Sequence, residues 1–409
     1  MDNFIGKAAG IFIALCGVGL EKVVSNELRK LGLRVSDSGH GRVRFMADIP
    51  GCYRALMGLR AADRVLWEAA RFPARDFDAL FEGIRGAPWE GFIPDGMGLK
   101  VVKVRVNRSR LRGLTSIQGM VHKAAAGRLC DYYRRHRLSD EGLQAELRVY
   151  IEKDEALALL DLSGEPLFKR GYRSEGGIAP LRETTAAALL FLANWRRKFS
   201  LYDPFCGSGT ILIEAALYAW DMAPGLGRSF VLSDMAPGDR EIEERVRVEL
   251  REKVDFTRTI RIYGSDADPR AVSIAQSNLA RAYDLARRRV PKKGIREPPV
   301  SAAGPEPGLP ELRVLPMQQA KAPLPAVPEL PEPGCIITNP PYGVRLGEPE
   351  TAEATYREME ELAGHFPGWK LAVLTGHPGF ESHFGRKADS CREITNGAIG
   401  SYFFQYEKL

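Results

Sequence analysis

Two short stretches of this 409-residue chain hold the polar groups best suited to acting on a ligand. The first is Asn339-Pro340-Pro341-Tyr342, which closes the run Ile336-Ile337-Thr338. An apolar run ending in a polar residue, two prolines and an aromatic predicts a buried strand that stops at the carboxyl edge of a sheet. Proline has no N–H for a ladder and pushes its predecessor towards extended geometry, so Asn339 is predicted to be held with its amide outward. That arrangement suits an exocyclic amine. The Asn339 side-chain oxygen and the Pro340 carbonyl can each accept one amine hydrogen, and the Tyr342 ring gives a base a flat face to stack on. The second stretch, Asp203-Pro204-Phe205-Cys206-Gly207-Ser208-Gly209-Thr210, joins a predicted strand at 199–202 to a helix at 211–219. Its two glycines let backbone approach a ligand closely, and the helix start supplies free N–H groups. No Gly-Lys-Ser/Thr follows, so it is not a P-loop. A third group, Asp266, follows a strand at 259–263, where an ionised carboxylate can accept two ribose hydroxyls. Asp268 is predicted to cap the next helix, with Pro269 at its first position.

Asn339 to Tyr342 resembles the N-P-P-Y motif of class I methyltransferases that use S-adenosylmethionine (SAM) to methylate base amines, and Asp203 to Thr210 resembles the SAM motif of the same class. The resemblance implies a catalytic set of Asn339, Pro340, Pro341 and Tyr342. It implies a cofactor set of Thr184, Asp203, Pro204, Cys206, Gly207, Ser208, Gly209, Thr210, Asp266 and Asn339, with Asp203 meeting the amino group of the methionine moiety. Family members often carry an Asp near position 321 for the adenine amine; this chain has Lys321, and Gln318 is taken as the substitute.

The elements that position these groups divide into three expected units. Residues 1–63 read as a small ferredoxin-like α+β unit of split βαβ type, with a strand at 10–15, a helix carrying Leu20, Val23, Val24, Leu28 and Leu31, a strand at 42–45 and a helix at 53–59. Its Gly17-Val18-Gly19 lacks a third glycine in register and reads as a tight turn. Residues 64–165 read as a helix near 77–84, a strand at 99–106, a helix at 116–137 and strands at 145–151 and 156–162. Here Lys100, Lys103, Arg105, Arg108, Arg110, Arg112, Lys123, Arg128, Arg134, Arg135 and Arg137 collect among few acids, which fits a phosphate-binding surface and a solvated helix face equally well. The layout, with Lys169-Arg170-Gly171-Tyr172-Arg173 after it, is similar to the THUMP domain of RNA-modifying enzymes; that resemblance implies RNA binding, with Arg108, Arg110, Arg112 and Lys123 as contacts. Residues 166–409 read as an α/β Rossmann-like methyltransferase domain. It has a mostly parallel sheet, a Pro-rich loop at 287–333, a strand at 369–375 and a C-terminal antiparallel hairpin turning at Asn396-Gly397.

Composition narrows the partners. With 44% hydrophobic and 27% charged residues the chain reads as globular, and no apolar run is long enough to span a bilayer. Met1-Asp2-Asn3-Phe4 has no basic region leading into an apolar stretch, so a cytoplasmic place is expected. Six scattered cysteines without a C-x-x-C pair point to reduced thiols, with no zinc or other metal site expected. The net charge of +6 is compatible with a polyanionic partner. The expected function is SAM-dependent methylation of a base amine in structured RNA. Guanine N2 in 23S ribosomal RNA, free or in a ribosome assembly intermediate, is the leading substrate by resemblance. Adenine N6 in DNA or RNA is the alternative. A non-catalytic RNA-binding factor is the third reading, and the intact 203–210 and 339–342 segments weigh against it.

Overall fold

A computed structural model describes residues 9–173, 181–287, 308–320, 334–341, 349–397 and 399–409. The first part runs β1 (Gly10–Leu15), α1 (Glu21–Lys30), β2 (Arg34–Gly39), β3 (Arg42–Ala47), α2 (Ile49–Gly58) and β4 (Arg64–Pro73). These strands lie in the order β2-β3-β1-β4 with antiparallel neighbours. Phe12 and Ala14 of β1 and Val43 and Phe45 of β3 are buried against Val23, Val24 and Leu28 of α1. The Asp48 carboxylate starts α2 by accepting the Gly51 N–H at 2.7 Å.

After β4 come α3 (Phe77–Gly86), β5 (Gly98–Asn107), α4 (Leu114–Tyr133), β6 (Gln144–Glu152) and β7 (Glu155–Asp161). The free edge of β4 pairs with β7, so a single sheet of seven described strands runs β2-β3-β1-β4-β7-β6-β5. The units read as 1–63 and 64–165 thus share one sheet. Helix α4 ends four residues before the sequence-predicted stop: Arg134 turns left-handed (φ 54°) and the Arg135 N–H closes the end on the Cys130 carbonyl at 2.9 Å.

The third part contains α5 (Glu183–Leu192), β8 (Leu201–Asp203), α6 (Thr210–Ala219), α7 (Arg240–Arg251), β9 (Ile262–Asp266), α8 (Pro269–Arg287) and β10 (Glu311–Val314). It continues with β11 (Cys335–Thr338), α9 (Pro349–Gly364), β12 (Lys370–Thr375), α10 (Phe380–Phe384), β13 (Ser390–Asn396) and β14 (Ile399–Tyr406). The sheet order is β10-β9-β8-β11-β12-β14-β13, parallel as far as β12, with β14 antiparallel between β12 and β13. Both faces are covered. Leu201, Ile337, Ala372, Leu374 and Phe403 join one buried cluster with α5 and α6, while Tyr202, Ile336, Leu371, Val373 and Phe404 join another with α9 and α10. The chain builds outwards from β8 to β10 and then returns to β8's other side as β11. This reversal leaves a crevice beyond the carboxyl ends of β8 and β11, the place where such sheets bind ligands.

Buried charge ties the two sheets together. The Glu27 carboxylate accepts the Arg60 and Ala61 N–H groups at 2.9 and 3.0 Å, and the Arg60 guanidinium donates to the Met222 carbonyl at 2.6 Å. Arg170 donates to the Arg60 carbonyl, and the Tyr172 hydroxyl to Glu214 at 3.1 Å. At the other end of the contact, the Gly17-Val18-Gly19 turn docks on β13. A Cβ on Gly17 would stand 2.5 Å from the Thr395 carbonyl oxygen and one on Gly19 2.5 Å from that of Glu393, so this turn uses glycine for close backbone approach.

Candidate active site

Three groups sit at the carboxyl edge of neighbouring strands: Asp203 closes β8, Asp266 closes β9, and Asn339 follows the last residue of β11. The Thr338 hydroxyl donates to Asp203 Oδ1 at 2.7 Å, and the Phe205 N–H reaches the same oxygen at 3.1 Å. Asp203 is only 1% exposed. Burial pushes its carboxyl up to about 7; the bonds from Thr338 and Phe205 oppose the shift and the charge of Asp266 adds to it. Among the described residues no lysine or arginine pairs with it. A carboxylate in that condition is a receptor for a cation, because an ammonium beside it offsets the cost of ionising it.

The glycine turn between β8 and α6 is left-handed twice, at Gly207 (φ 51°) and Gly209 (φ 80°). A Cβ on Gly209 would meet the Ala275 Cβ of α8 at 3.0 Å, whereas the space in front of Gly207 is open. The Gly207 N–H donates to Asp266 Oδ2 at 2.9 Å and the Asp268 N–H to Oδ1 at 3.0 Å. Each oxygen of the half-buried Asp266 therefore holds one backbone N–H and keeps a second lone pair for a hydroxyl. Asp268 accepts the Arg270 N–H at 2.9 Å. Pro204 and Cys206 are buried. Burial raises the Cys206 thiol pKa, so this side chain offers shape and not a thiolate. Thr210 accepts from Arg173 at 2.8 Å, and the Ser208 and Thr210 hydroxyls lie 3.4 Å apart. An open volume over Gly207, a buried acid seeking a cation and a second acid with free lone pairs match the carboxylate-terminated, cationic and ribose-bearing parts of SAM in kind.

The other sequence-predicted residues are placed as follows. Asn339 is half-buried, Pro340 buried and Pro341 exposed. Tyr342 and Lys321 lie outside the described residues. The buried Thr184 hydroxyl donates to Asp63 of the N-terminal part at 2.6 Å. Gln318 lies in the 3-10 turn Met317–Gln319, and its amide nitrogen donates to Glu358 of α9 at 2.7 Å. Of the basic group, Arg108, Arg112 and Lys123 are exposed, and Arg110 reaches Asp154 at 3.5 Å. Arg128 and Arg135 are engaged by Glu90 and Asp95, which the sequence reading had not paired with them.

Sequence reasoning missed several side chains that hold this site. Thr338 was read only as a strand residue. Asn278, on α8, donates to the Ser208 carbonyl at 3.2 Å and steadies the glycine turn. Tyr356, on α9, donates to the Pro341 carbonyl at 3.2 Å. The apolar spacing Ala352, Tyr356, Met359, Leu362 announces the helix but not the bond. Glu353, His377 and His383 form a cluster of metal-ligating types among the described residues. There the His377 Nδ1 accepts the Gly379 N–H at 3.1 Å, while its Nε2 stands 4.0 Å from Glu353, too far for a hydrogen bond, and the His383 Nε2 stands 3.4 Å from it.

Comparison with known proteins extends the picture to the whole chain. Residues 170–288 and 314–403 match the family described as "RMKL-like, methyltransferase domain", and residues 11–66 match the "RlmL ferredoxin-like domain". The YpsC protein of Bacillus subtilis, provisionally named an RNA methyltransferase, is 35% identical over 401 residues, covering 96% of this chain and 95% of that one. A ribosomal RNA large subunit methyltransferase K/L from Syntrophotalea carbinolica is 33% identical over 399 residues; the match takes in 95% of this chain and 52% of that protein, so the chain spans about half its length. The solved structure of SMU.472, described as a methyltransferase complexed with S-adenosylhomocysteine (SAH), is 34% identical with a TM-score of 0.84, covering 98% of this chain and 99% of that one. With a methyltransferase match across the third part and a relative of this identity along nearly its full length, the chain belongs to the RMKL-like methyltransferase family.

Proposed function

We propose that this protein methylates N2 of a guanine in large-subunit ribosomal RNA. SAM is the cofactor of this methyltransferase, and its sulfonium supplies an already activated methyl group. The chain's own task is then to hold and desolvate the nucleophile. The Asn339 side-chain oxygen and the Pro340 carbonyl accept the two amine hydrogens, so that the nitrogen lone pair points at the reacting carbon, and Tyr342 stacks the flipped base. Asp203 takes the ammonium of the methionine moiety, Asp266 the ribose hydroxyls, and the turn from Pro204 to Thr210 gives close backbone approach; Gln318 meets the adenine. The basic face with Arg108, Arg110, Arg112 and Lys123 captures structured RNA through phosphates, and the proposed partner is ribosomal RNA or an assembly intermediate in the cytoplasm.

The observation that carries this reading is the Thr338–Asp203 hydrogen bond, since it fixes the amine-holding Asn339 one residue from the acid of the cofactor turn. The choice of large-subunit ribosomal RNA is supported by the K/L methyltransferases among the relatives, and the choice of guanine N2 rests on the motif resemblance. Mass spectrometry of ribosomal RNA nucleosides from cells lacking the gene tests it. N2-methylguanosine should fall at one large-subunit site and return with the parent gene but not with Asn339→Ala. Loss of N6-methyladenosine instead would transfer the reading to the adenine alternative, and an unchanged profile would refute guanine N2 and adenine N6 in ribosomal RNA alike.

A further inference from the structure

We infer that Tyr356 is a positioning residue for methyl transfer, acting by fixing the carbonyl of Pro341. The inference rests on the proposed roles of Asn339 and Pro340, and it concerns how the segment that carries them is held. Pro341 is exposed and follows the end of a strand, and no ladder bond among the described residues restrains its carbonyl. Its recorded bond comes from the Tyr356 hydroxyl at 3.2 Å. That hydroxyl is also 2.9 Å from Thr375 Oγ1, which in turn accepts the His377 N–H at 3.0 Å.

Counting protons gives the direction of each bond. A carbonyl can only accept, so Tyr356 uses its one hydrogen on Pro341, and Thr375 must donate to Tyr356. The result is a chain from the His377 N–H through Thr375 and Tyr356 to Pro341, with each hydroxyl both accepting and donating. Tyr356 and Thr375 are both fully buried. Burial also raises the tyrosine pKa, so the hydroxyl keeps its proton at neutral pH. The chain starts from a rigid place. Thr375 is the last residue of β12, whose neighbour β11 delivers Asn339, and the two strands are in register at Thr338 and Val373. The Tyr356 ring is clamped edge-on by Phe380 at 5.0 Å and by His377 at 5.8 Å.

The Pro341 carbonyl ends the segment that carries Asn339 and Pro340. Anchoring it through Tyr356 to α9 and through Thr375 to β12 limits how far that segment, and with it the proposed amine-holding groups, can turn at the sheet edge.

The test compares Tyr356→Phe, which keeps the buried ring, with Thr375→Val and Thr375→Ser. Single-turnover methylation is measured at saturating SAM and RNA, beside SAH and RNA affinities and the thermal midpoint. Tyr356→Phe and Thr375→Val should each slow transfer roughly ten- to a hundredfold, as small misplacements of reacting groups do. Their affinities for SAH and RNA should stay within about twofold of the parent, well inside what one lost neutral hydrogen bond would cost a ligand. The double variant should be little slower than either single one, because both break one chain, and Thr375→Ser should restore the rate. A parental rate in Tyr356→Phe, or slowing that merely follows a lowered thermal midpoint in all three variants, would overturn the inference. Asn339→Ala runs alongside: if it too is fully active, the proposed amine-holding role fails, whereas an inactive Asn339→Ala beside an active Tyr356→Phe removes only the positioning role.

Discussion

At the level of single residues, the site divides into groups that hold the reactants and groups that hold those groups. Asn339 is proposed to be of the first kind. Asn339→Ala should lose methyl transfer by about 2 to 4 kcal/mol of transition-state stabilisation, the usual cost of removing one preorganised polar group, while SAH affinity measured by calorimetry stays near the parent's. Near-normal turnover would remove Asn339 from the mechanism. Asp203 yields a pH prediction. Its folded-state pKa is raised to about 7, so the folded protein binds the proton more tightly than the unfolded chain does. The stability this contributes is full below the unfolded carboxylate pKa and is lost as pH rises towards 7. A bound ammonium favours the ionised form, so ligand affinity must run the opposite way. SAH affinity should climb with pH up to about 7, by at most about tenfold per unit, and then level off. Asp203→Asn should show weaker binding without that slope; a pH-independent parent would mean that Asp203 is not the ammonium receptor. The identity of such groups was readable because strand-end acids and an Asn before two prolines have few other uses. Thr338, Asn278 and Tyr356 were not readable, because each acts through a partner dozens of residues away or on a different element.

Elements with a clear period were legible, and those without one were not. The alternating apolar positions of β6, the short unbroken apolar runs of β7 and β12 and the stripe of α1 follow the simple rules. β2 was missed because its sequence, Arg34-Val35-Ser36-Asp37-Ser38-Gly39, is an exposed edge with a register shift between Val35 and Asp37. β4 was missed for a related reason: a shift between Glu68 and Ala70 breaks its alternation. That miss mattered, since β4 is the strand that joins the two N-terminal units. The turn into α6 is the element-scale feature with most consequence for the cofactor. Gly209→Ala would place a β-carbon at positive φ and 3.0 Å from Ala275. A strain of about 1 to 3 kcal/mol is expected. It should appear as a lower thermal midpoint together with weaker SAH binding, because relief requires α8 or the turn to shift. A stable variant with parental SAH affinity would show that the turn has slack and that cofactor contact does not depend on its shape.

Across the whole molecule, the proposed RNA-binding face belongs to one sheet and the proposed methyl-transfer site to the other. The buried Glu27, Arg60, Arg170 and Glu214 groups and the docked Gly17-Val18-Gly19 turn tie the two sheets to each other. Capture and catalysis can then be separated by mutation without separating the domains. Arg108 and Arg112 have no ion pair among the described residues, and Arg110 has one, at 3.5 Å, with its side chain 76% exposed. Neutralising all three to glutamine should raise the dissociation constant for a structured ribosomal RNA fragment and flatten its salt dependence. Each lost phosphate contact lowers the slope of log K against log salt by roughly 0.7 to 0.9. SAH binding should not change, because the proposed cofactor residues all lie beyond residue 180. The rate at saturating RNA should also hold, since the amine site is untouched. A single-stranded control of the same length should respond less, as an A-form helix presents its phosphates in fixed rows that a rigid basic face can match. If the triple variant binds the structured fragment as tightly as the parent across the whole salt series, these arginines are a solvated face, and the phosphate contacts belong to another surface.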